Sequence, residues 1–166
     1  AYGGGIGGRN RFALEVASAT AAAIGAHRVG LRLSPYGVFN STGAFADVEA
    51  QYLALTEKLS ELGLLYLHLL DHSAMGAPPV PAEFKRHMRE AFKGLFILAG
   101  GFDRASADSA LRAGQADLIA FARPFLANPD LVKRMQTDAP LNAVDMATFY
   151  TPGPKGYTDY PALAVA

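Results

Sequence analysis

Two turns of the chain combine residue types that bind phosphate in other proteins. Ala99-Gly100-Gly101 follows one apolar run, and Ala122-Arg123 follows the next. Glycines let backbone N–H groups approach a phosphate closely, and an arginine adds a permanently charged, bidentate partner. In a parallel α/β fold, ligands bind beyond the carboxyl ends of the strands, where both turns would lie. The spacing therefore predicts a phosphate-binding site built from two successive loops.

Other interpretations of these turns compete with phosphate binding. A Gly-Gly pair after a strand often makes only a tight turn, and Gly100 and Gly101 alone do not distinguish the two possibilities. The tandem arrangement favours phosphate, because (β/α)8 barrels frequently build phosphate sites from the loops after their last two strands. A dinucleotide-binding fold is disfavoured, since no G-x-G-x-x-G opens a helix after a strand. An aldolase-type barrel would need a lysine at a strand end, and the predicted strands offer none.

Composition excludes several classes of function. Of the 166 residues, 51% are hydrophobic and 18% are charged, which is typical of a folded domain. Fifteen basic and fifteen acidic residues cancel, so neither nucleic acid nor an anionic membrane is an expected partner. There is no cysteine, and the four histidines lack the spacing of a zinc helix, so no metal is expected. The lack of a signal peptide or a long apolar run predicts a cytoplasmic protein.

The apolar pattern alternates between helical and strand-like segments. Helices are predicted at residues 9–24, 47–62, 83–92, 104–113 and 129–135, and strands at residues 28–33, 64–70, 95–98 and 118–121. This alternation predicts a parallel sheet with right-handed crossovers. Strand starts about thirty residues apart suit barrel units, so the four units predict half of a (β/α)8 barrel. The remaining segments are a Gly-rich loop or linker at residues 1–8 and a C-terminal tail at residues 148–166. The leading helix would follow a strand that precedes this chain.

Five segments carry a more specific pattern. They are GLRLSPYGVFN, YLHLLD, ILAGGF, FARPFLANPDL and FYTPGPKGYTDYP, in this order along the chain. Together they resemble the old yellow enzyme family, and in particular its N-ethylmaleimide and pentaerythritol tetranitrate reductase group. The resemblance implies a TIM (β/α)8 barrel that holds FMN at the carboxyl ends of its strands. It also implies that residues 1–166 form the C-terminal half of that single barrel domain, with strands five to eight.

The resemblance implies roles for individual residues. Arg32 would reach the N1/O2 edge of the flavin, where a cation favours the anionic reduced form. A solvent-facing arginine or a structural ion pair is the alternative, but burying an arginine without a partner is costly. The FMN phosphate would be bound by Ala99, Gly100, Gly101, Ala122 and Arg123. Tyr150 would line the substrate pocket or pack on the barrel rim, and the sequence leaves both possibilities open.

Other polar residues receive no role in the flavin site. His68 and His72 stay unassigned, because the family carries its substrate-anchoring pair on strand four, upstream of this chain. The segment at residues 128–130, Asn-Pro-Asp, is expected to cap the following helix. Where the family has Tyr-Gly-Gly-Ser-x-Glu-Asn-Arg, residues 2–9 are YGGGIGGR. Glycines thus replace a charged residue and a capping asparagine.

The implied activity is reduction, by NADPH through FMN, of the activated C=C bond in an α,β-unsaturated carbonyl or nitro compound. The family's substrate clamp and proton-donating tyrosine lie outside this chain, so no catalytic residue is expected within it. We therefore expect an oxidoreductase only when an N-terminal half, in the same or a separate chain, completes the barrel. The expected partner of the chain is that half or a second copy in a homodimer. The alternative is a non-catalytic half barrel that binds FMN or phosphate weakly and needs a complementing half.

Overall fold

A computed structural model describes residues 1–164, which divide into two compact units. The first unit, Ala1–Ala120, contains a parallel sheet with the strand order β1-β2-β3-β4, and the second unit begins at Phe121. The strands are β1 (Gly30–Leu33), β2 (Tyr66–Leu70), β3 (Leu95–Ala99) and β4 (Leu118–Ala120). The helices are α1 (Ile6–Ile24), α2 (Val48–Glu61), α3 (Ala82–Ala91), α4 (Arg104–Arg112), α5 (Arg123–Ala127) and α6 (Leu131–Thr137). The predicted parallel α/β sheet is confirmed.

One face of the sheet packs against helices. Side chains alternate between the two faces of a strand, and the register aligns Leu33, Leu69 and Leu98 in one row. All three leucines are buried in the same core cluster. The helices contribute Leu55, Leu59, Phe84 and Met88 to this cluster. The strands are therefore held in place mainly by burial of this row beneath α2 and α3.

The opposite face of the sheet, which we call the open face, is less well covered. The register places Arg32, His68, Ile97 and Leu118 in one row on it. Leu118 is 49% exposed and Leu95, on the same face, is 41% exposed. The carboxyl ends of all four strands lie at one edge of the sheet because the strands are parallel. Residues that follow β1, β2 and β3 are thereby positioned near one another.

The apolar spacing of α2 correctly predicts its buried face. Val48, Leu55 and Leu59 are at most 6% exposed, and they recur at helical spacing. Gly63, with a φ of +69°, follows the helix and lets the chain turn into β2.

Within residues 1–164, no helix combines the length and the apolar character needed to cross a membrane.

The amino-terminal loop is shorter than the sequence predicts. α1 begins at Ile6, so the last glycines of the segment at residues 1–8 are helical. Asn10 is 3% exposed, and its Nδ2 donates a hydrogen bond of 2.9 Å to the carbonyl oxygen of Gln51. This contact ties the start of α1 to α2. Tertiary contacts of this kind outweigh the low helix propensity of glycine, on which the expectation of a loop depended.

Candidate functional site

The turn after β3 requires glycine at two successive positions. Gly100 and Gly101 have φ angles of +119° and +71°, which residues with a side chain rarely adopt. A Cβ on Gly100 would lie 2.0 Å from the carbonyl oxygen of Asp71, and a Cβ on Gly101 would lie 3.3 Å from the Cβ of Ala74. Packing against the end of β2 therefore requires Gly100 even without a ligand. Because the two glycines have no side chains, none of their own atoms covers the backbone of the turn at the carboxyl end of the sheet. A phosphate needs such an uncovered backbone in order to accept hydrogen bonds from its N–H groups.

The first turn of α4, which follows the glycine turn, is already capped by the chain itself. Asp103 Oδ1 accepts a hydrogen bond of 2.8 Å from the Ser106 N–H, and Ser106 Oγ accepts one of 3.0 Å from the Asp103 N–H. Hydrogen bonds from the side chain and backbone of Ser106 lower the pKa of Asp103. The capping carboxylate is therefore charged at neutral pH. A phosphate at this edge would be bound by the glycine turn rather than by the start of α4.

A buried carboxylate lies behind the glycine turn. Asp71 is 7% exposed and accepts hydrogen bonds from the Ser73 N–H at 2.9 Å, the Val80 N–H at 3.2 Å and Lys85 Nζ at 2.6 Å. Burial alone would raise the pKa of Asp71, but hydrogen bonds from Lys85 and Ser73 and the charge of Lys85 hold it below its ordinary value. The Asp71 N–H donates to the carbonyl oxygen of Ala99 at 2.9 Å. Asp71 thus joins the loop after β2 to the end of β3.

Neither Asp71 nor Lys85 was among the predicted site residues. The two residues lie fourteen positions apart, in a loop and in α3, so their spacing does not connect them. The sequence contained one indication of Asp71, which is that this carboxylate directly follows the apolar segment of β2. A carboxylate at such a position is drawn towards the interior and needs a cationic partner.

Arg32 lies on the open face of β1, beside His68 of β2. The register pairs the two residues, and Arg32 is exposed, which agrees with the alternative of a solvent-facing arginine and leaves its role at the flavin a prediction. His68 Nε2 is buried and has no hydrogen-bond partner within residues 1–164. Burial and the charge of Arg32 both lower the pKa of His68. The open face therefore presents a permanent cation beside a neutral imidazole at pH 7.

The histidines do not gather into a metal site in the described part of the chain. No group of three or more His, Cys, Asp or Glu side chains within residues 1–164 is placed to hold a metal ion. The ring of His72 lies edge-on to that of Phe39, with 5.1 Å between the ring centroids. A Cβ on Gly37 would lie 3.1 Å from His72 Nδ1. His72 is therefore packed closely against the loop that follows β1.

The second predicted phosphate loop begins the second unit. The carbonyl oxygen of Ala122 accepts a hydrogen bond of 2.9 Å from the Leu126 N–H, and Arg123 is the first residue of α5. Pro124 follows within the first helical turn, where its missing N–H has no cost. The sequence analysis predicted no helix at this position. The structure gives Arg123 a helical backbone, while its role in ligand binding stays a prediction.

Tyr150 lies in the tail of the second unit and is 96% exposed. Its ring meets that of Phe149 edge-on, with 6.3 Å between the ring centroids. This geometry leaves a large aromatic surface and a hydroxyl group available to a ligand. The substrate-lining role of Tyr150 stays a prediction.

The Asn-Pro-Asp segment does not cap α6 as expected. Asp130 precedes α6, but its carboxylate makes no capping hydrogen bond. It accepts hydrogen bonds from Arg134 Nε and from the Leu163 N–H, both at 2.7 Å. Asn128 is fully buried, and its Oδ1 accepts a hydrogen bond of 2.7 Å from the Asn142 N–H. Asp130 thus holds the tail through Leu163, and Asn128 holds the segment before the tail through Asn142.

Arg134 fixes both ends of the segment from Pro140 to Pro161, which includes most of the tail. It is 4% exposed, and its Nη1 and Nη2 donate hydrogen bonds to the carbonyl oxygens of Pro140 at 2.5 Å and Pro161 at 2.9 Å. Asn142 Nδ2 also donates to Pro161, at 2.8 Å. The segment that carries Tyr150 is therefore anchored at its two ends by buried polar side chains.

A parallel β/α sheet with a glycine turn at the carboxyl end of β3 and an exposed arginine on its open face defines the chain as a parallel α/β protein. The family model of the NADH:flavin oxidoreductase / NADH oxidase family matches residues 1–142, and the chain belongs to that family. The resemblance to the old yellow enzyme family is thereby confirmed.

Characterised relatives agree with this assignment. The chain is 47% identical over 165 residues to 12-oxophytodienoate reductase 2 of Arabidopsis thaliana, an alignment that covers 98% of this chain and 44% of that protein. It matches a structure of morphinone reductase with a TM-score of 0.90 and 43% identity, covering 98% of this chain and 43% of the other. A structure of morphinone reductase in complex with tetrahydroNAD matches with a TM-score of 0.88 and 42% identity, again over 98% and 43% of the two chains.

The chain spans less than half the length of these relatives. The solved relatives are TIM barrels of the old yellow enzyme type, so the four parallel strands correspond to part of such a barrel. The assignment of these strands to the C-terminal half stays a prediction.

Proposed function

We propose that this chain is the C-terminal half of an FMN-dependent ene-reductase, which uses NADPH to reduce the activated C=C bond of an α,β-unsaturated carbonyl or nitro compound. Membership of the NADH:flavin oxidoreductase / NADH oxidase family supports the flavin. Relatives named 12-oxophytodienoate reductase and morphinone reductase support a reductase, and the tetrahydroNAD complex supports a nicotinamide as reductant. The observation that carries the proposal is the Gly100–Gly101 turn at the carboxyl end of a sheet whose open face bears Arg32.

The residues present fit FMN in charge. A phosphate needs N–H donors and positive charge, which the side-chain-free turn at Gly100 and Gly101 and the guanidinium of Arg123 would supply. The N1/O2 edge of the flavin needs a cation, and Arg32 is exposed and permanently charged. When bound, FMN would supply hydride transfer between NADPH and the C=C bond. Ala99 and Ala122, which precede the two phosphate-binding elements, would contribute only backbone.

Substrate recognition would be shared with residues outside this chain. Tyr150 would line the pocket, because its ring and hydroxyl group are exposed while its segment is anchored at both ends. We propose no catalytic residue in this chain. The groups that bind the carbonyl or nitro oxygen and that donate the proton would belong to the N-terminal half.

A comparison of FMN with riboflavin tests the proposed phosphate site. Riboflavin lacks the phosphate, so the quenching of flavin fluorescence on titration with the purified chain should show at least roughly tenfold tighter binding of FMN. Equal affinities for the two flavins would contradict the assignment of the phosphate site. Absence of binding to both flavins would contradict the proposed cofactor.

A non-catalytic half barrel is the second candidate. It is favoured by the exposure of Leu95 and Leu118 on the open face. NADPH oxidation with added FMN and 2-cyclohexenone distinguishes the candidates. Turnover once the N-terminal half is added supports the enzyme, because that half would supply the catalytic groups. FMN binding without turnover, even with the N-terminal half present, supports the non-catalytic half barrel.

A further inference from the structure

We infer that the Asp71–Lys85 ion pair controls anion binding at the Gly100–Gly101 turn, because Lys85 neutralises a carboxylate that would otherwise repel phosphate. The inference rests on the proposed function, in which this turn binds the phosphate of FMN. Neither side chain is assigned a contact with the ligand. Asp71 and Lys85 are therefore positioning residues, which act through the backbone and through the charge behind it.

Asp71 lies directly against the turn. A Cβ on Gly100 would lie 2.0 Å from the carbonyl oxygen of Asp71 and 3.1 Å from its Cβ. The carboxylate carbon is bonded to that same Cβ. The Asp71 N–H also donates to the carbonyl oxygen of Ala99, the residue before the turn, at 2.9 Å. The carboxylate is thus attached to an atom that packs against Gly100, in the backbone turn that would hold a phosphate.

The charge of Asp71 has one cationic partner in the described first unit. Lys85 Nζ lies 2.6 Å from Oδ2, and the side chains of Asp71 and Lys85 are 8% and 29% exposed. The other two donors, the N–H groups of Ser73 and Val80, are neutral. Removal of Lys85 would leave a buried carboxylate close to the turn. Like charges at this range repel strongly, because burial limits screening by water.

The same pair also shapes the loop after β2. The hydrogen bonds from Ser73 and Val80 close this loop on Asp71, and Ala74 within the loop lies against Gly101. A loss of phosphate binding could therefore come from charge or from loop shape. Asparagine at position 71 separates the two causes, since it keeps a side-chain acceptor and removes the charge.

The experiment measures dissociation constants for FMN and riboflavin with the full 166-residue chain in its purified oligomeric state. Lys85→Met should weaken FMN binding by roughly tenfold or more and change riboflavin binding by less than about threefold. Lys85→Arg should bind FMN as the wild type does. The double variant Asp71→Asn/Lys85→Met should recover FMN binding to within about threefold of the wild type. Arg86→Met is the matched control, because Arg86 lies on the same helix and pairs at the surface with Glu90 at 2.8 Å.

Three results would overturn the inference. They are an unchanged FMN affinity in Lys85→Met, an equal loss for both flavins, and a loss that the double variant does not rescue. If the wild type itself does not prefer FMN to riboflavin, the proposed phosphate site fails, and this inference fails with it. Circular dichroism verifies that each variant folds. Should Lys85→Met fail to fold, Asp71→Asn alone decides: FMN binding equal to or tighter than the wild type supports the inference, and weaker binding contradicts it.

Discussion

Arg32 and Arg123 have the same charge but different surroundings, and these surroundings suggest different tasks. Arg32 projects from a strand next to His68, whose pKa is lowered by burial and by Arg32. Because the imidazole of His68 is neutral, it does not cancel the electric field of the Arg32 guanidinium. This arrangement suits a residue that stabilises the anionic reduced flavin. Arg123 lies in the first turn of α5 and is partly buried, which suits a residue that holds an anion in a fixed place.

Arg123→Ala should weaken FMN binding by roughly ten- to a hundredfold, because a charge-assisted pair contributes about 1.5–3 kcal/mol. Binding of riboflavin should be unaffected. Lys133→Ala, at an exposed position on α6, is the control for a general loss of positive charge. Flavin fluorescence titration measures both variants and the wild type. An FMN affinity equal to that of the wild type would remove Arg123 from the phosphate site.

Arg32→Met should lower the reduction potential of bound flavin, because a cation stabilises the anionic reduced form. Reduction by NADPH should slow accordingly, while FMN content should stay close to that of the wild type. Potentiometric titration and stopped-flow absorbance of the completed enzyme measure the two effects. Arg28→Met, an exposed substitution just before β1, should change neither. Wild-type values for both quantities in Arg32→Met would show that Arg32 has no role at the flavin.

Tyr150→Phe should change KM or kcat for an enone and leave FMN content intact, because Tyr150 is 96% exposed and contributes little to the packing of its own unit. Steady-state kinetics of the completed enzyme, with flavin absorbance as a check, measure the effect. Tyr157→Phe is the matched control, since Tyr157 is also exposed in the tail, at 68%. Loss of FMN from the Tyr150 variant would instead indicate that the tail is structural.

The glycine in the turn after β3, Gly100, can be compared directly with the glycine after α4, Gly114. Gly100 and Gly114 both have positive φ angles, +119° and +68°, but a Cβ would collide with Asp71 at Gly100 and meet nothing within 4 Å at Gly114. Gly114→Ala should cost about 1 kcal/mol of stability. Gly100→Ala should cost about 3 kcal/mol or more, since strain and collision add. Equal shifts in the free energy of unfolding, measured with urea, would contradict the packing of β2 against this turn.

The regular elements were predictable where a buried row leaves a periodic apolar pattern. Leu67 and Leu69 alternate along β2, and Leu55 and Leu59 recur along α2. In α1 the spacing correctly predicts a helix, but Phe12, which belongs to that pattern, is 66% exposed. An alanine-rich helix has no strong apolar stripe, so contact with α2 decides which face is buried.

The local geometry of the candidate site was predictable only where the nearby sequence determines it. The Gly100–Gly101 turn follows from the need for positive φ angles directly after a strand. The pairing of Asp71 with Lys85 and of Asp130 with Leu163 joins residues fourteen and thirty-three positions apart, so it depends on the folded chain. Local propensity favours Asp130 as a cap, but tertiary hydrogen bonds take its carboxylate instead.

At the scale of the whole molecule, the open face and the two edges of the sheet are incompletely covered by the described residues. Parallel sheets occur almost only with both faces covered. The helix-facing row is buried, whereas Leu95 and Leu118 on the open face are 41% and 49% exposed. β1 and β4 each have one neighbouring strand in the described sheet, which leaves two open edges. In a closed barrel, this face would fill the interior and both edges would be paired.

We therefore predict that the chain does not persist as a lone 17.5 kDa monomer. The open face should be covered by the N-terminal half, in the same or a second polypeptide, or by a second copy that completes the barrel by symmetry. Sedimentation velocity at micromolar concentration should show a dimer or larger species for the chain alone. Addition of the separately expressed N-terminal half should convert it to a one-to-one complex, because pairing of the true edges buries more apolar surface than self-association does. A soluble monomer that unfolds cooperatively and ignores the N-terminal half would show that the open face needs no partner.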